Sequence, residues 1–159
     1  MSAREFSTPG DPRFKEVEES VTFQMRFPSG VLAICSTSYG IHEARRFRVF
    51  GSDAWGQLDP AFSYNGLRMM VSRKSPSNSM AENVSEVRMG EKNQFALEID
   101  HMADCVIQNK QPHTPGEEGL QDQKLIALIY QAAESGKTIT LPRVSGLDVT
   151  RGPAPRTLK

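Results

Sequence analysis

The period of the apolar pattern changes once along this chain, and that change constrains the fold more than any other feature. From Val17 to Phe27, VEESVTFQMRF, apolar side chains stand at Val17, Val21, Phe23, Met25 and Phe27, with Glu18, Ser20, Thr22, Gln24 and Arg26 in the alternate places. A period of two is that of a strand with one buried face. From Phe95 the period becomes that of a helix. Phe95, Ile99, Met102 and Val106 share one stripe there, and Glu98, His101, Asp104 and Gln108 lie on other faces. Strands first and helices afterwards predict an α+β layer: a mostly antiparallel, open β-sheet with two main helices packed on one face.

Turn residues punctuate the strand region. Pro28-Ser29-Gly30 separates the first strand from VLAICSTSY and predicts an opening hairpin. ARRFRVFG and AWGQLD read as a third and fourth strand divided by Gly51, Ser52 and Asp53. Asn65-Gly66 lies between the apolar ends of FSYNGLRMMV and predicts another hairpin, because both residue types tolerate positive φ. SRKSPSNSMAEN reads as a loop, and VSEVRM as a last strand. The first helix is expected to stop near Asn109 and Pro112. The second starts with Thr114 as N-cap, Pro115 at the first helical position and Glu117 completing a capping box. It carries Leu120, Leu125, Ile126, Leu128 and Ile129 inward and leaves through Gly136, and TITL is a short extended segment after it. Residues 1–16 read as irregular, 17–142 as one domain, and 143–159, rich in Gly, Pro and Arg, as a flexible tail. Bulky residues occupy both parities of several strands: Phe47 and Val49 beside Phe50, Leu32 and Ile34 beside Val31 and Ala33. Helices can cover only one face of such a sheet, so a partner subunit is expected to cover the other, giving a homo-oligomer through the open face.

Composition narrows the function. The chain has 159 residues, enough for one self-burying domain. Its 19 basic and 19 acidic residues create no field to attract nucleic acid or an anionic membrane. At 38% hydrophobic and 24% charged it has globular composition, and no apolar run reaches the ~20 residues that span a bilayer. MSAREFSTPGDPRF has no apolar core for a secretion machinery, so the expected location is cytoplasmic, or periplasmic where an export signal precedes the chain. Two cysteines, Cys35 and Cys105, are too few and too far apart for a metal motif or a disulfide framework, and read as reduced apolar residues.

Four blocks in order, GVLAICSTSYG, RFRVFGSDAWGQLDPAFSYNGLRM, NQFALEIDHMADCV and PGEEGLQDQKLIALIYQAAESGKTITL, resemble the C-terminal domain of glucose-fructose oxidoreductase and inositol dehydrogenase-like enzymes, the Gfo/Idh/MocA family. The likeness runs from about Val17 to Leu141. It implies a two-domain enzyme in which an N-terminal Rossmann half binds NAD or NADP and the C-terminal half helps bind a sugar or polyol and forms the oligomer. It also implies a catalytic lysine in a Glu-Lys-Pro motif of the Rossmann half, and an acid/base Asp or Tyr with a His on a helix early in the second half. Neither stretch occurs in this sequence. Nor does a Gly-x-Gly-x-x-Gly turn, without which a pyrophosphate has no glycine turn and helix N-terminus to rest on. The expectation is therefore the substrate-side, oligomerising part of an NAD(P)-dependent sugar or polyol oxidoreductase. By itself it would have no catalytic residue, bind no cofactor and not turn over. The alternative is a non-catalytic dimerising or sugar-binding module that uses the same sheet.

The resemblance places the substrate-facing residues of this half at Tyr39 and His42, where one strand ends and the next begins, and at Asn93, Gln94 and Phe95, where the first helix opens. Each has a plainer role: a half-exposed tyrosine and a surface histidine for the first two, helix capping for Asn93, core packing for Phe95. Asp100, His101 and Asp104 are close on one helix but form no metal triad by themselves, and read as a solvated polar face. Arg45, Arg46 and Arg48 read as a charged strand face able to pair with acidic residues of a neighbouring subunit, and Trp55 as core or interface.

Overall fold

The computed structural model describes residues 1–141 apart from Ser79, Met89 and Glu91; the expected tail, 143–159, lies outside the described residues. The described residues form seven strands and two α-helices: β1 (Ser2–Phe6), β2 (Ser20–Arg26), β3 (Leu32–Ser38), β4 (Phe47–Phe50), β5 (Ala54–Leu58), β6 (Met69–Lys74), β7 (Glu82–Val87), α1 (Gln94–Ile107) and α2 (Gly116–Ser135). Every strand pairing is antiparallel, so the α+β architecture is the one the change of period dictates. The strands make two sheets, β1-β2-β3 and β4-β5-β6-β7, where the sequence suggested one. The chain divides accordingly into two compact units, Met1–Ile41 with the described residues from His101 onward, and His42–Asp100.

In the first unit the period-two reading of β2 holds residue by residue. Val21 is buried and Phe23 and Met25 are half-buried, whereas Thr22, Gln24 and Arg26 between them are exposed. Phe23 stands opposite Ala3 of β1 and Cys35 of β3, so these side chains share one face. α2 packs against β1, and the buried residues on the two elements are Ala3 and Ala132, small enough for helix and strand to approach closely. Burying Val21 beside them contributes about 1.5 kcal/mol. Residues 1–16, read as irregular, thus contain a strand and also a short 3-10 turn, Pro12–Phe14. The strand was hidden because SAREF has no β-branched residue; pairing with β2, not intrinsic preference, sets its conformation.

The ends of the first unit are tied by reciprocal bonds: the Met1 amino group donates to the Ile139 carbonyl at 2.8 Å, and the Ile139 N–H to the Met1 carbonyl at 2.8 Å. Gly136 lets the chain turn there; it closes α2 at φ 64°, in the left-handed region where a β-carbon is strained. At the other end of α2 the expected Thr114 cap is not used. Pro115 is the cap residue and supplies no side-chain acceptor, so the first turn is supported by Glu117 and Glu118 against the helix dipole. Leu120 and Ile126, expected to point inward, are exposed. The second half of α1 ends as predicted near Asn109, which takes φ 49°. The Lys110 N–H bonds to the Cys105 carbonyl at 2.8 Å and the Asn109 N–H to the Val106 carbonyl at 3.3 Å, the paired bonds of a Schellman ending.

In the second unit the hairpin expected at Asn65-Gly66 is not formed. β5 pairs with β6 from Leu58↔Met69, which leaves residues 59–68 as a long connection, and of the two turn residues only Gly66 has positive φ, 70°. A two-residue primed turn needs positive φ at both positions, so the motif without a paired strand on each side sets no register. Conversely β6 and β7 extend into the stretch read as loop and meet at Lys74↔Glu82. Ser72, in the middle of β6, is the only buried polar side chain among the described residues, and its hydroxyl donates to Glu82.

Candidate functional site

The five sequence-derived site residues fall in both units. Tyr39 follows the last residue of β3, in the first unit. Its N–H donates to the Glu19 carbonyl at 2.9 Å, which holds the backbone while the ring is 81% exposed. His42, exposed, begins the second unit.

Asn93, Gln94 and Phe95 stand together at the start of α1, also in the second unit. Asn93 caps the helix: its Oδ1 accepts the Ala96 N–H at 3.1 Å and its carbonyl accepts the Leu97 N–H at 3.1 Å. Gln94 is half-buried. Phe95 is not a core residue. Half its surface is exposed, and its ring meets that of Tyr64, centroids 5.1 Å apart and planes inclined 57°.

Tyr64 is the neighbour that sequence reading missed. It was taken for a strand residue beside Asn65-Gly66, but it lies in the 59–68 connection and is exposed. The base of that connection is pinned. The Asp59 N–H donates to the Arg68 carbonyl at 3.0 Å, the Ala61 N–H to the Arg45 carbonyl at 2.7 Å, and the Arg46 Nε to Asp59 Oδ2 at 2.8 Å. Ala61 is wholly buried, whereas Phe62, next to it, takes φ 58° and sets its ring edge-on to Phe47 at 6.2 Å. A bulky residue in the left-handed region is uncommon, and such residues concentrate where structure serves binding.

The remaining polar candidates are occupied within their own unit. Arg45 pairs with Glu43, and Arg48 bonds Gln57 and lies over Trp55 at 5.1 Å and Phe50 at 5.6 Å. The Trp55 Nε1–H donates to Glu82 Oε2 at 3.0 Å. Hydrogen bonds from Ser72 and then Trp55 hold the Glu82 carboxyl below its ordinary range. His101, expected on a solvated face, is half-buried; its Nε2 accepts the His113 N–H at 3.0 Å and lies 3.6 Å from Cys105 Sγ. The bond ties α1 to the segment before α2. Asp100 and Asp104 are exposed, and no group of three or more metal-ligating side chains gathers among the described residues.

Neither helix start fits a dinucleotide pyrophosphate. At α1 the Ala96 N–H is taken by Asn93, and at α2 the first turn carries Glu117 and Glu118, which repel an anion where the dipole would attract one. No helix of the described residues is long and apolar enough to cross a membrane.

D-xylose 1-dehydrogenase [NADP(+)] of Haloarcula marismortui is 26% identical over 125 residues, a match that spans 78% of this chain and 33% of the relative. Among solved structures, the aldose-aldose oxidoreductase of Caulobacter crescentus, complexed with glycerol, superimposes with a TM-score of 0.77 at 37% identity, over 88% of this chain and 40% of that one. The chain thus spans less than half the length of either sugar oxidoreductase. The family model for the oxidoreductase family, C-terminal alpha/beta domain, matches residues 2–141, taking in β1, which the sequence reading had left out. Strand pairing, helix ends and sequence likeness converge on one statement: the chain belongs to the Gfo/Idh/MocA oxidoreductase family, as its C-terminal α/β domain.

Proposed function

We propose that this chain is the substrate-side part of an NAD(P)-dependent oxidoreductase that acts on a sugar or polyol, and that it works with a dinucleotide-binding half lying outside these residues. The observation that carries the reading is the family match over residues 2–141, set beside two sugar oxidoreductases of which the chain spans only 33% and 40%. When bound in its own half, nicotinamide supplies the hydride chemistry. This chain's contribution is to hold the sugar and exclude water, through Tyr39 and His42 after β3 and through Asn93, Gln94 and Phe95 at the start of α1. Reaction needs donor and acceptor carbons held at near-contact distance, so the chain alone does not turn over.

Exposure supports the need for further coverage. The apolar stripe of α1 is open to solvent, with Ile99 at 69% and Val106 at 70%, as are Leu32 and Ile34 of β3. Apolar area of this extent is ordinarily met by another protein surface, and we assign it to the dinucleotide-binding half and to a second copy of the domain. Calorimetric titration of NADPH into the purified chain tests the division of labour. The expected result is no heat beyond dilution, and saturable binding in the micromolar range would overturn it.

A further inference from the structure

We propose that Tyr64 is a specificity-determining, sugar-contacting residue: with Phe95 it presents two inclined aromatic faces on which the C–H face of a pyranose ring stacks. The inference rests on the sugar reading above and adds to it a residue and a ligand shape.

Four observations within the second unit carry it. The two rings meet at 5.1 Å with both still exposed, Tyr64 at 68% and Phe95 at 51%, so their contact leaves ring surface free for a third body. The tip that carries Tyr64 is neutral: Asp59 is paired with Arg46 at 2.8 Å, Arg68 with Glu86 at 3.2 Å, and residues 60–67, PAFSYNGL, include no acidic or basic side chain. That suits an uncharged ligand and disfavours a phosphorylated or carboxylated one, which would need a cation at the tip. The base of the tip is rigid, pinned at Asp59 and Ala61, while Phe62 beside it holds a positive φ that bulky residues rarely adopt. Polar residues neighbour both rings along the chain: Gln94 precedes Phe95, and the exposed Asn65 follows Tyr64. A few polar groups around an apolar surface are what a hydroxyl-rimmed ring with an apolar face requires. Aromatic stacking needs the flat C–H patch that a closed pyranose ring presents and an open-chain polyol does not, so the platform selects pyranoses over open-chain polyols.

Saturation-transfer NMR on the full chain tests this, with D-xylose and D-glucose as closed-ring probes and glycerol as the open-chain one. The wild-type chain is expected to saturate the ring C–H protons of both sugars and to transfer little to glycerol. Tyr64→Ala should weaken the apparent sugar affinity about fivefold or more, and Tyr64→Phe should stay within about twofold, since the ring and not the hydroxyl does the stacking. Tyr64→Leu keeps apolar bulk without a ring and is expected to lose binding like the alanine variant while retaining the amide-shift dispersion of the folded chain. Retention of sugar saturation in the folded leucine variant, or equal loss in Tyr64→Phe, would overturn the role of Tyr64 and leave the sugar reading intact. Absence of transfer to either sugar in the wild-type chain would remove both.

Discussion

The two units solve the same problem, an antiparallel sheet with too few helices, in different ways. In the first, α2 lies on β1, and Ala3, Val21 and Ala132 are sealed in the seam. In the second, Ala61 is the one buried apolar residue among those described, and the sheet face is crossed by a polar chain from Arg48 over Trp55 to Glu82 and Ser72. One sheet is held by burial, which resists change in pH and salt; the other is held by hydrogen bonds at a surface, which does not. Family membership gives the contrast a meaning. The unit with the sealed seam still exposes Tyr39, and the loosely covered unit carries the exposed Tyr64–Phe95 pair.

The largest effect is expected from a charge in the seam. Val21→Asp puts an unpaired carboxylate where 5% of the residue is exposed, and such changes cost about 3–5 kcal/mol. Two probes separate the units. α2, the longer helix, belongs to the first unit and dominates the helical circular dichroism, whereas Trp55, the only tryptophan of the sequence, lies in the second. The expected outcome in urea is a large fall in the midpoint seen by circular dichroism and a smaller one seen by Trp55 emission. Equal falls would show that the two units unfold as a single body and that the contrast in their construction has no thermodynamic weight.

A smaller effect is expected at the exit of α2. Gly136→Ala places a β-carbon 3.7 Å from Arg4 Nη1, an ordinary contact, so space is not the difficulty. The difficulty is φ 64°, which costs an alanine roughly 1–2 kcal/mol. The circular-dichroism midpoint should fall accordingly while Trp55 emission holds. A neutral result would mean that the turn after α2 relaxes freely, and that the Met1–Ile139 bonds do not fix it.

What the sequence made legible follows the same division. β2 could be read side chain by side chain because burial alternates along it, and Gly136 and Asn109 because left-handed helix ends restrict residue type. β1 could not, since its five residues owe their conformation to β2. The Thr114 capping box and the Asn65-Gly66 hairpin were local signals whose neighbours did not cooperate: Pro115 took the cap position, and no strand flanks Asn65 on its N-terminal side. Phe95 and Asn93 were placed at the right helix end, but the partner of Phe95 was out of reach. Tyr64 precedes it by 31 residues, a separation that no helical or strand period links, and only the course of the 59–68 connection brings the rings together.

The smallest effect is a pH dependence within the second unit. Hydrogen bonds from Ser72 and the Trp55 indole favour the ionised form of Glu82, so its folded pKa lies below the unfolded value of about 4.3. A depressed folded pKa means that the unfolded chain takes up its proton first as acid is added. The Glu82 contribution is therefore present in full above that unfolded value and disappears as pH falls through the folded one. Asp53 is lowered too, by hydrogen bonds from Ser52 and then Lys74, and adds to the same acid limb. Indole emission distinguishes them, because only Glu82 accepts the Trp55 N–H. Glu82→Gln keeps a neutral acceptor at the same place and removes the titration. Between pH 6 and pH 2 the wild-type emission should shift as the indole loses its anionic partner, and the variant should be flat until the unit unfolds. An unchanged emission titration in the variant would assign the acid limb to Asp53 and leave the polar chain across this sheet without a role in holding it.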